Sequence, residues 1–455
     1  MTAVRPGPAA SVALSRREAA LLVTAACATG FLLVLVPWWQ DPATRTVRSG
    51  GDVLVGVARA AGMLAAYLLL VQVALLARVP WLERRVGTDW LTGAHRWLGS
   101  YVMGLVAVHV GAVIVGYAAY DHASVSHETA TLVLTYPYVL LGTVGLALVA
   151  LVVVTSLKPL RRLLPYEVWH TLHLLAYVGI ALAIVHQLVD GAQFARHATM
   201  RAGWIGAHVV VLLLVLRYRV GEPLLLWSRH RFRVVDVIPE ADGSVSVYVG
   251  GRNLSRLPIE GGQYFRWRFL TPSGWWHAHP FSVSQAPNGR WLRMTAKPVG
   301  DHTSTLHRLR EGVPVILEGP YGAVTRRLAR GRHLVLVAGG SGIAPMLALA
   351  QEAARARTHV TLIYRVSGRG QAWFQTELDR LAQTGHVDLH VLAGGRHEEE
   401  VRRFLRAGQL TRLLTEPGEV DAYLCGPEGL VSEMITLLQA AGVAAPRIHT
   451  ESFAW

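Results

Sequence analysis

Six stretches dominated by apolar residues fill the first half of the chain, at roughly 19–39, 53–77, 94–118, 134–156, 167–189 and 202–218. Each approaches the ~20 residues that a helix needs to cross the hydrocarbon core of a bilayer. After Arg217 the pattern changes. From about Arg231, alternation such as Phe232-Arg233-Val234-Val235-Asp236-Val237 and Val245-Ser246-Val247-Tyr248-Val249 predicts strands. From His333 the order becomes strand, Gly-rich turn, helix, strand, which predicts an α/β nucleotide-binding unit. The predicted fold class is a multi-domain membrane protein: a six-helix transmembrane bundle, a small β-barrel and an α/β domain. The boundaries expected are 1–18 for an N-terminal tail, 19–220 for the bundle, 221–328 for the barrel and 329–455 for the α/β domain.

Composition agrees with a membrane part. Of the 455 residues 52% are hydrophobic and 16% charged, and mean hydropathy is +0.33. A net charge of +14 raises nucleic acid as a partner. The basic residues, however, are mostly arginines at the ends of apolar runs and in the C-terminal half, which points to membrane flanks and phosphate-bearing cofactors instead. With Cys27 and Cys425 as the two cysteines, a disulfide scaffold and a thiolate cluster are excluded. Arg16 and Arg17 before an apolar run resemble the start of a signal peptide. No small-residue cleavage site precedes the next loop, and Pro37-Trp38-Trp39 reads as an interfacial anchor, so a retained first helix is expected. The loops after the second and fourth runs hold Arg78, Arg84, Arg85, Lys158, Arg161 and Arg162, whereas Asp121 to Thr131 has no Lys or Arg. Arg45, Arg48, Arg196 and Arg201 weaken the asymmetry, but the balance puts both termini in the cytoplasm, with the chain multi-pass in an inner or plasma membrane.

Ionisable residues inside spans are costly and mark function. The third run carries His95 and His109, and the fifth carries His170, His173 and His186. His95 and His109 are 14 residues apart, a rise of ~21 Å and within ~40° of one helix face. His173 and His186 are 13 apart, ~19.5 Å, so the two pairs sit at nearly equal depths. Two stacked sites follow, His95 with His173 and His109 with His186, each suited to bis-His ligation of a haem b iron with no open position, as electron transfer favours. On an ideal helix, thirteen residues leave His186 ~140° from His173, which a kink, a π-bulge or interhelical twist must correct. His170 competes with His173 but lies ~24 Å from His186, a poorer match in depth. Histidines that merely pack are the competing reading of all four.

The H-x13-H and H-x12-H spacings resemble the ferric reductase and NADPH oxidase superfamily. That resemblance implies an Arg beside the outer haem, for which Arg59 is the candidate; snorkelling to the interface is the other reading. His279-Pro280-Phe281-Ser282, expected to follow a strand, resembles the superfamily's flavin motif, in which the aromatic ring packs on the isoalloxazine and the hydroxyl bonds it. Lys297-Pro298-Val299-Gly300-Asp301-His302-Thr303 resembles its second element: Val299 and Gly300 allow backbone amides near the FAD pyrophosphate, Thr303 adds a hydroxyl and Lys297 charge. Glu318-Gly319-Pro320-Tyr321-Gly322 resembles the junction between flavin and nicotinamide domains.

Leu334–Ala338 runs into Gly339-Gly340-Ser341-Gly342-Ile343-Ala344-Pro345. This Gly-x-Gly-x-x-Pro turn between strand and helix offers a pyrophosphate site and is similar to ferredoxin-reductase-type domains. At the end of the next strand no acidic residue stands where it would grip a ribose 2′-hydroxyl; Arg365 and Arg369 would hold a 2′-phosphate, favouring NADPH over NADH. Cys425-Gly426-Pro427 resembles the superfamily motif that sets a Cys near the nicotinamide C4, as a positioning residue. The tail Glu451-Ser452-Phe453-Ala454-Trp455 resembles those that lay an aromatic ring over the flavin; Phe453 fits the usual spacing, and Trp455 is the alternative.

The resemblance implies electron flow from NADPH through FAD to the inner haem (His95, His173), the outer haem (His109, His186) and an outside acceptor, either O2, giving superoxide, or a ferric chelate. Oxidases of this type carry another His four residues beyond the outer ligand of the third helix, where this chain has Val113, which weighs against O2. His122 and His127 in the outer loop read as solvated. A membrane-anchored reductase without haem, serving another redox partner, is the alternative function, and a haem-binding sensor a weaker one.

Overall fold

The computed structural model describes residues 16–272, 274–395, 397–404, 407–414 and 416–451. It divides into two compact units: one takes the residues up to Val79 and Trp90–Tyr218, the other Pro80–Asp89 and the chain from Arg219 onward. Leaving aside four short helices of four to six residues, those of the first half are α1 (Arg16–Val34), α2 (Gly50–Leu75), α3 (Pro80–Val86), α4 (Thr88–Tyr120), α5 (Val125–Thr135), α6 (Val139–Ser156), α7 (Tyr166–Asp190), α8 (Ala198–Val215) and α9 (Glu222–His230).

Among the described residues, six helical stretches are long and apolar enough to cross a membrane: Arg17–Gln40, Gly50–Leu75, Trp90–Tyr120, Val139–Ser156, Tyr166–Asp190 and Ala198–His230. They match the six expected runs, and the chain is a multi-pass membrane protein. Leu21, Leu22, Leu32, Leu33, Leu212 and Leu213 are more than half exposed, as a lipid-facing surface requires. Helix α2 starts at a capping box, in which Ser49 Oγ accepts from the Asp52 amide and Asp52 Oδ2 from the Ser49 amide. Spans α6 and α7 cross backbone to backbone: a Cβ built on Gly145 would lie 2.7 Å from the Gly179 carbonyl oxygen.

Two features differ from expectation. The outer segment expected as a loop contains α5, started by Ser124, whose Oγ accepts from the His127 amide, and separated from α6 by Tyr136-Pro137-Tyr138. The sixth span does not stop near 218 but continues through a π-helical segment, Leu216–Gly221, into α9, where Pro223 occupies the first turn.

The second unit has two lobes. In the flavin lobe, β1 (Arg233–Pro239), β2 (Val245–Gly250) and β5 (Trp291–Ala296) form one antiparallel sheet, and β4 (His279–Ser282), β3 (Tyr264–Phe269) and β6 (Val315–Tyr321) form another. Single bridges, Arg233 to Pro314 and Val283 to Met294, join the sheets at either edge. The expected barrel is therefore met as two three-stranded sheets and not as one continuous ladder. Their inner faces share a core of Phe232, Val247, Phe265, Trp267, Met294 and Leu317. Helices α3 and α9 both pack on β6. In the α/β lobe, β7 (His333–Gly339), β8 (His359–Val366), β9 (Val387–Ala393), β10 (Val420–Cys425) and β11 (Ile448–Glu451) form a parallel sheet of order β11-β10-β7-β8-β9, with α10 (Ile343–Arg355), α11 (Gln375–Ala382) and α12 (Glu428–Ala440) among its helices. The strand order reverses between β7 and β10, which places the ligand crevice of such sheets at their C-terminal ends.

Candidate functional site

In the membrane unit, the His95 and His173 rings face each other with centroids 6.1 Å apart. His170 instead stacks on Tyr166 at 5.7 Å, with the ring planes nearly parallel. His109 and His186 lie within electrostatic range of each other. Each of the four rings is anchored through Nδ1. His95 Nδ1 donates to the Gln72 carbonyl at 3.2 Å, and Gln72 Nε2 donates back to the His95 carbonyl at 3.2 Å. His109 Nδ1 donates to the Ala58 carbonyl at 2.8 Å. Ser156 Oγ gives its proton to the Val152 carbonyl at 2.7 Å, so it accepts from Trp169 Nε1 and from His173 Nδ1 at 3.3 Å. His186 Nδ1 donates to Asp190 Oδ2 at 2.9 Å. Carbonyl and carboxylate oxygens only accept, so these bonds put the proton on Nδ1 and assign any metal bond to Nε2.

The span before each histidine helix supplies the cradle. On α2, Ala58 and Gln72 are 14 residues apart, as are His95 and His109 on α4. On α6, Ser156 bonds His173, and a Cβ on Gly142 would lie 2.9 Å from His186 Cγ; on α2, a Cβ on Gly62 would lie 2.7 Å from His109 Nδ1. Bare glycines thus let both rings come close to a neighbouring backbone. Of the corrections expected in the fifth span, a π-bulge is absent: α7 is one α-helix from Tyr166 to Asp190, and two of its three histidines, His173 and His186, bear on α6. These residues fit haem. The His95 and His173 rings, with centroids 6.1 Å apart, are close enough that both could hold one haem iron, the Nδ1 bonds leave the lone pair on Nε2, and the glycine cradles would be filled by any Cβ. Among the described residues no three His, Cys, Asp or Glu side chains gather as a metal site. Arg59, next to the anchoring Ala58, lies within electrostatic reach of Tyr120 at the end of α4.

In the flavin lobe, His279-Pro280-Phe281-Ser282 does not follow a strand but is one. It is β4, an edge strand paired with β3, where Pro280 removes no interior ladder bond. Phe281 packs against the lobe core, its carbonyl accepts from Trp267 Nε1 at 2.9 Å, and Ser282 is buried opposite Tyr264. His279 stacks on His302 at 4.2 Å, with His277 beside both. Burial first, then the neighbouring His302 and His277, push the His279 imidazole down to about 4, and its buried Nε2 finds no hydrogen-bond partner among the described residues. A neutral, orphaned nitrogen beside the flavin motif fits a lobe that holds FAD. The second element is turned inward: the Val299 and Gly300 amides both donate to Thr303 Oγ1 at 3.0 Å, and Lys297 pairs with Asp242.

In the α/β lobe, the Gly-rich turn and Cys425-Gly426-Pro427 meet at the switch between β7 and β10. A Cβ on Gly339 would lie 2.7 Å from Pro427 Cδ, and one on Gly342 would lie 2.1 Å from the Cys425 carbonyl oxygen. Only glycine permits this approach, which opens the start of α10, with Pro345 buried in its first turns, toward the crevice. The Cys425 thiol is fully buried, and burial, with Glu451 nearby, pushes it well up, so it is neutral. Arg365, the last residue but one of β8, gives one Nη to the Gly394 carbonyl at 3.3 Å. Arg369 opens the next turn, and its side chain lies outside those described, as do Phe453 and Trp455. A groove of about 480 Å3 lined by Arg326, Arg327, Glu352 and Arg355 opens beside Leu334, at the far end of β7 from this crevice.

Sequence reasoning missed the groups that hold the histidines and one that joins the lobes. Arg293, 1% exposed on β5, bonds Ser284 and Tyr248, grips both carboxylate oxygens of Glu377 on α11, and lies 4.4 Å over the Phe374 ring.

Residues 61–184 match the ferric reductase like transmembrane component, 242–325 an FAD-binding domain, and 336–435 an oxidoreductase NAD-binding domain. The chain has the ferric reductase and NADPH oxidase domain architecture. This superfamily assignment rests on a transmembrane match that spans His95, His109 and His173 and stops two residues before His186. A flavohemoprotein from Chromobacterium violaceum is 30% identical over 247 residues, 50% of this chain and 61% of that protein, so the chain spans about three fifths of that relative's length. The ferredoxin–NAD(P)+ reductase component of the naphthalene 1,2-dioxygenase system of Pseudomonas putida is 26% identical over 39% of the chain and 56% of its own length. The FAD/NAD-binding domain of a nitric oxide dioxygenase from Vibrio cholerae is similar over 49% of this chain and 98% of its own, with 26% identity and a TM-score of 0.42. An FAD-binding and an NAD-binding domain thus follow a transmembrane domain in one chain.

Proposed function

We propose that the chain takes electrons from NADPH on the cytoplasmic side and delivers them, through FAD and two b-type haems, to an extracytoplasmic acceptor, O2 or a ferric chelate. Hydride acceptance, its division into single electrons and their passage across the bilayer are the chemistry that FAD and haem supply when bound. The residues of the chain bind, orient and shield. His95 and His173 are assigned to the inner haem through Nε2, and His109 and His186 to the outer one; Arg59 is assigned to an outer propionate. Gly339, Gly340, Gly342 and Pro345, with Cys425, Gly426 and Pro427, are assigned to the dinucleotide. Cys425 bounds the nicotinamide pocket as a neutral group and is no nucleophile.

Arg365 and Arg369, at a strand end without an acidic residue, support NADPH over NADH. His279, Pro280, Phe281, Ser282, Lys297, Val299, Gly300 and Thr303 are assigned to FAD; for the last four this requires the loop to exchange its internal bonds for phosphate. Phe453 is assigned to the flavin face. The two sheets joined at both edges support the barrel reading, and the distribution of Lys and Arg supports cytoplasmic termini.

The observation that carries the proposal is the pairing of His95 with His173 at 6.1 Å while all four Nδ1 atoms are committed to acceptors. The test is an absorption spectrum of the detergent-purified protein before and after anaerobic NADPH. Two b-type haems per FAD, reduced by NADPH and reoxidised by air or a ferric chelate, are expected. Flavin without haem, in cells replete with haem, would replace this reading with a membrane-anchored flavin reductase.

A further inference from the structure

The four histidines are not anchored alike. Gln72 and Ala58 offer neutral carbonyls and Ser156 a neutral hydroxyl, but His186 donates Nδ1–H to the carboxylate of Asp190, one helical turn on in α7. Among the described residues Asp190 pairs with His186 and forms no ion pair with a Lys or Arg. The two side chains are 27% and 16% exposed, and Gly142 of α6 closes on the ring, where a Cβ would lie 2.9 Å from His186 Cγ.

We propose that Asp190 is a positioning and tuning residue that makes the outer haem a stronger reductant than a bis-His haem with neutral anchors; this rests on the assignment of His186 as an iron ligand. A carboxylate on the distal N–H of a ligating imidazole raises the basicity of Nε2, and its negative charge in a low-dielectric setting stabilises the ferric over the ferrous state. At the inner site the acceptors of the two Nδ1 protons are a carbonyl and a hydroxyl, both neutral. The two haems of one chain are thereby made unequal by a single side chain. The inequality suits delivery to an acceptor that takes its first electron reluctantly, and dioxygen is such an acceptor.

The test is potentiometric titration of the full-length haem- and FAD-loaded protein, followed in the haem α-bands, with low-temperature EPR of the oxidised haems. Asp190→Asn keeps size and shape but removes the charge. One haem step is expected to move positive by at least a tenfold change in its equilibrium, about 59 mV for one electron, with a changed g-anisotropy, while the other stays in place. Asp190→Glu is expected to restore the wild-type value. Two haems with both steps unmoved in Asp190→Asn would overturn the proposal. If Asp190→Asn loses a haem, retention with a near-wild-type potential in Asp190→Glu supports it, and loss in both overturns it in favour of a purely structural role. A wild-type protein without haem would instead defeat the ligand assignment itself.

Discussion

The guanidinium of Arg293, on a strand of the flavin lobe, is held face to face by the carboxylate of Glu377, on a helix of the nucleotide lobe. Arg293 is almost wholly buried and Glu377 about a third exposed. Removing the acid therefore strands a buried cation. Glu377→Ala is expected to destabilise the flavin–nucleotide unit by on the order of 3 kcal/mol, at the low end for breaking a buried pair because Glu377 keeps some solvent. Arg293→Met, which removes the charge and keeps the stem, is expected to cost less. Melting followed by FAD fluorescence checks the order; equal, unshifted melts for both variants would refute it.

The pairing of His95 with His173 and the stacking of His170 on Tyr166 separate two neighbouring histidines by role. His173→Ala is expected to leave one haem per FAD, and His170→Ala two, by pyridine haemochrome assay of purified protein. The reverse result would move the ligand one turn toward the start of α7.

Gly62 and Gly142 are expected to tolerate no side chain. Alanine at either would put a methyl within 3 Å of an imidazole, at His109 and His186 respectively. Each substitution should lose the outer haem while helix content by circular dichroism holds. A variant that retains both haems with an unchanged spectrum would show that the rings do not need the bare backbone.

Cys425 is neutral across the physiological range, since burial and the nearby Glu451 raise its thiol well above the ordinary value. Activity from pH 6 to 9 should show no thiol titration, and iodoacetamide should leave NADPH oxidation intact. Cys425→Ala should slow hydride transfer by about tenfold, about 1.4 kcal/mol in the barrier, through lost positioning. Complete inactivation by alkylation of the native protein would contradict this.

His279 and His333 are both held down to about 4, in each case chiefly by burial and then by neighbouring histidines. Between the ordinary imidazole value of about 6.5 and about 4, the unfolded chain binds protons that the folded unit refuses. Stability is therefore full above the window, falls as pH drops through it, and levels off below, by at most about 1.4 kcal/mol per pH unit for each histidine. His333→Asn should flatten the decline. Melting temperatures at pH 7.5, 6 and 5 read it directly, and a flat wild-type profile would count against both assignments.

Much of the architecture was legible because it is written in period. Twenty-residue apolar runs appear as spans, and the alternation at 232–237 and 245–249 appears as β1 and β2 within a residue or two. The Gly-rich turn and Cys425-Gly426-Pro427 were legible as separate motifs; that they close on each other follows from parallel pairing of β7 with β10, which sequence distance conceals. Helix α5 was missed because a polar opening with two histidines reads as solvated, while its signal, Ser124 as cap and Pro137 as stop, is short. The histidine anchors on α2 are backbone carbonyls and carry no side-chain signature. Asp190 did carry one, standing four residues after His186 on a helix, where i,i+4 partners meet. The inward turn of Val299, Gly300 and Thr303 was not readable, since the same hydroxyl serves a ligand or its own loop.

Pro80–Asp89 belongs to the same compact unit as the flavin and nucleotide lobes, with α3 packed on β6 and Thr88 Oγ1 3.0 Å from Tyr264 Oη. That makes the unit a two-instalment assembly in time. From Val86 to Val315, the first residue of the strand that receives it, runs a stretch of 229 residues. At a synthesis rate of about 5–20 residues per second the ribosome needs roughly 10 to 50 s to cover it. Throughout that interval Val86, buried in the finished unit, has no sheet to lie on. A ribosome that stalls before β6 leaves α3 without the strand it packs on, and a fragment begun at Arg219 would fold with β6 lacking α3.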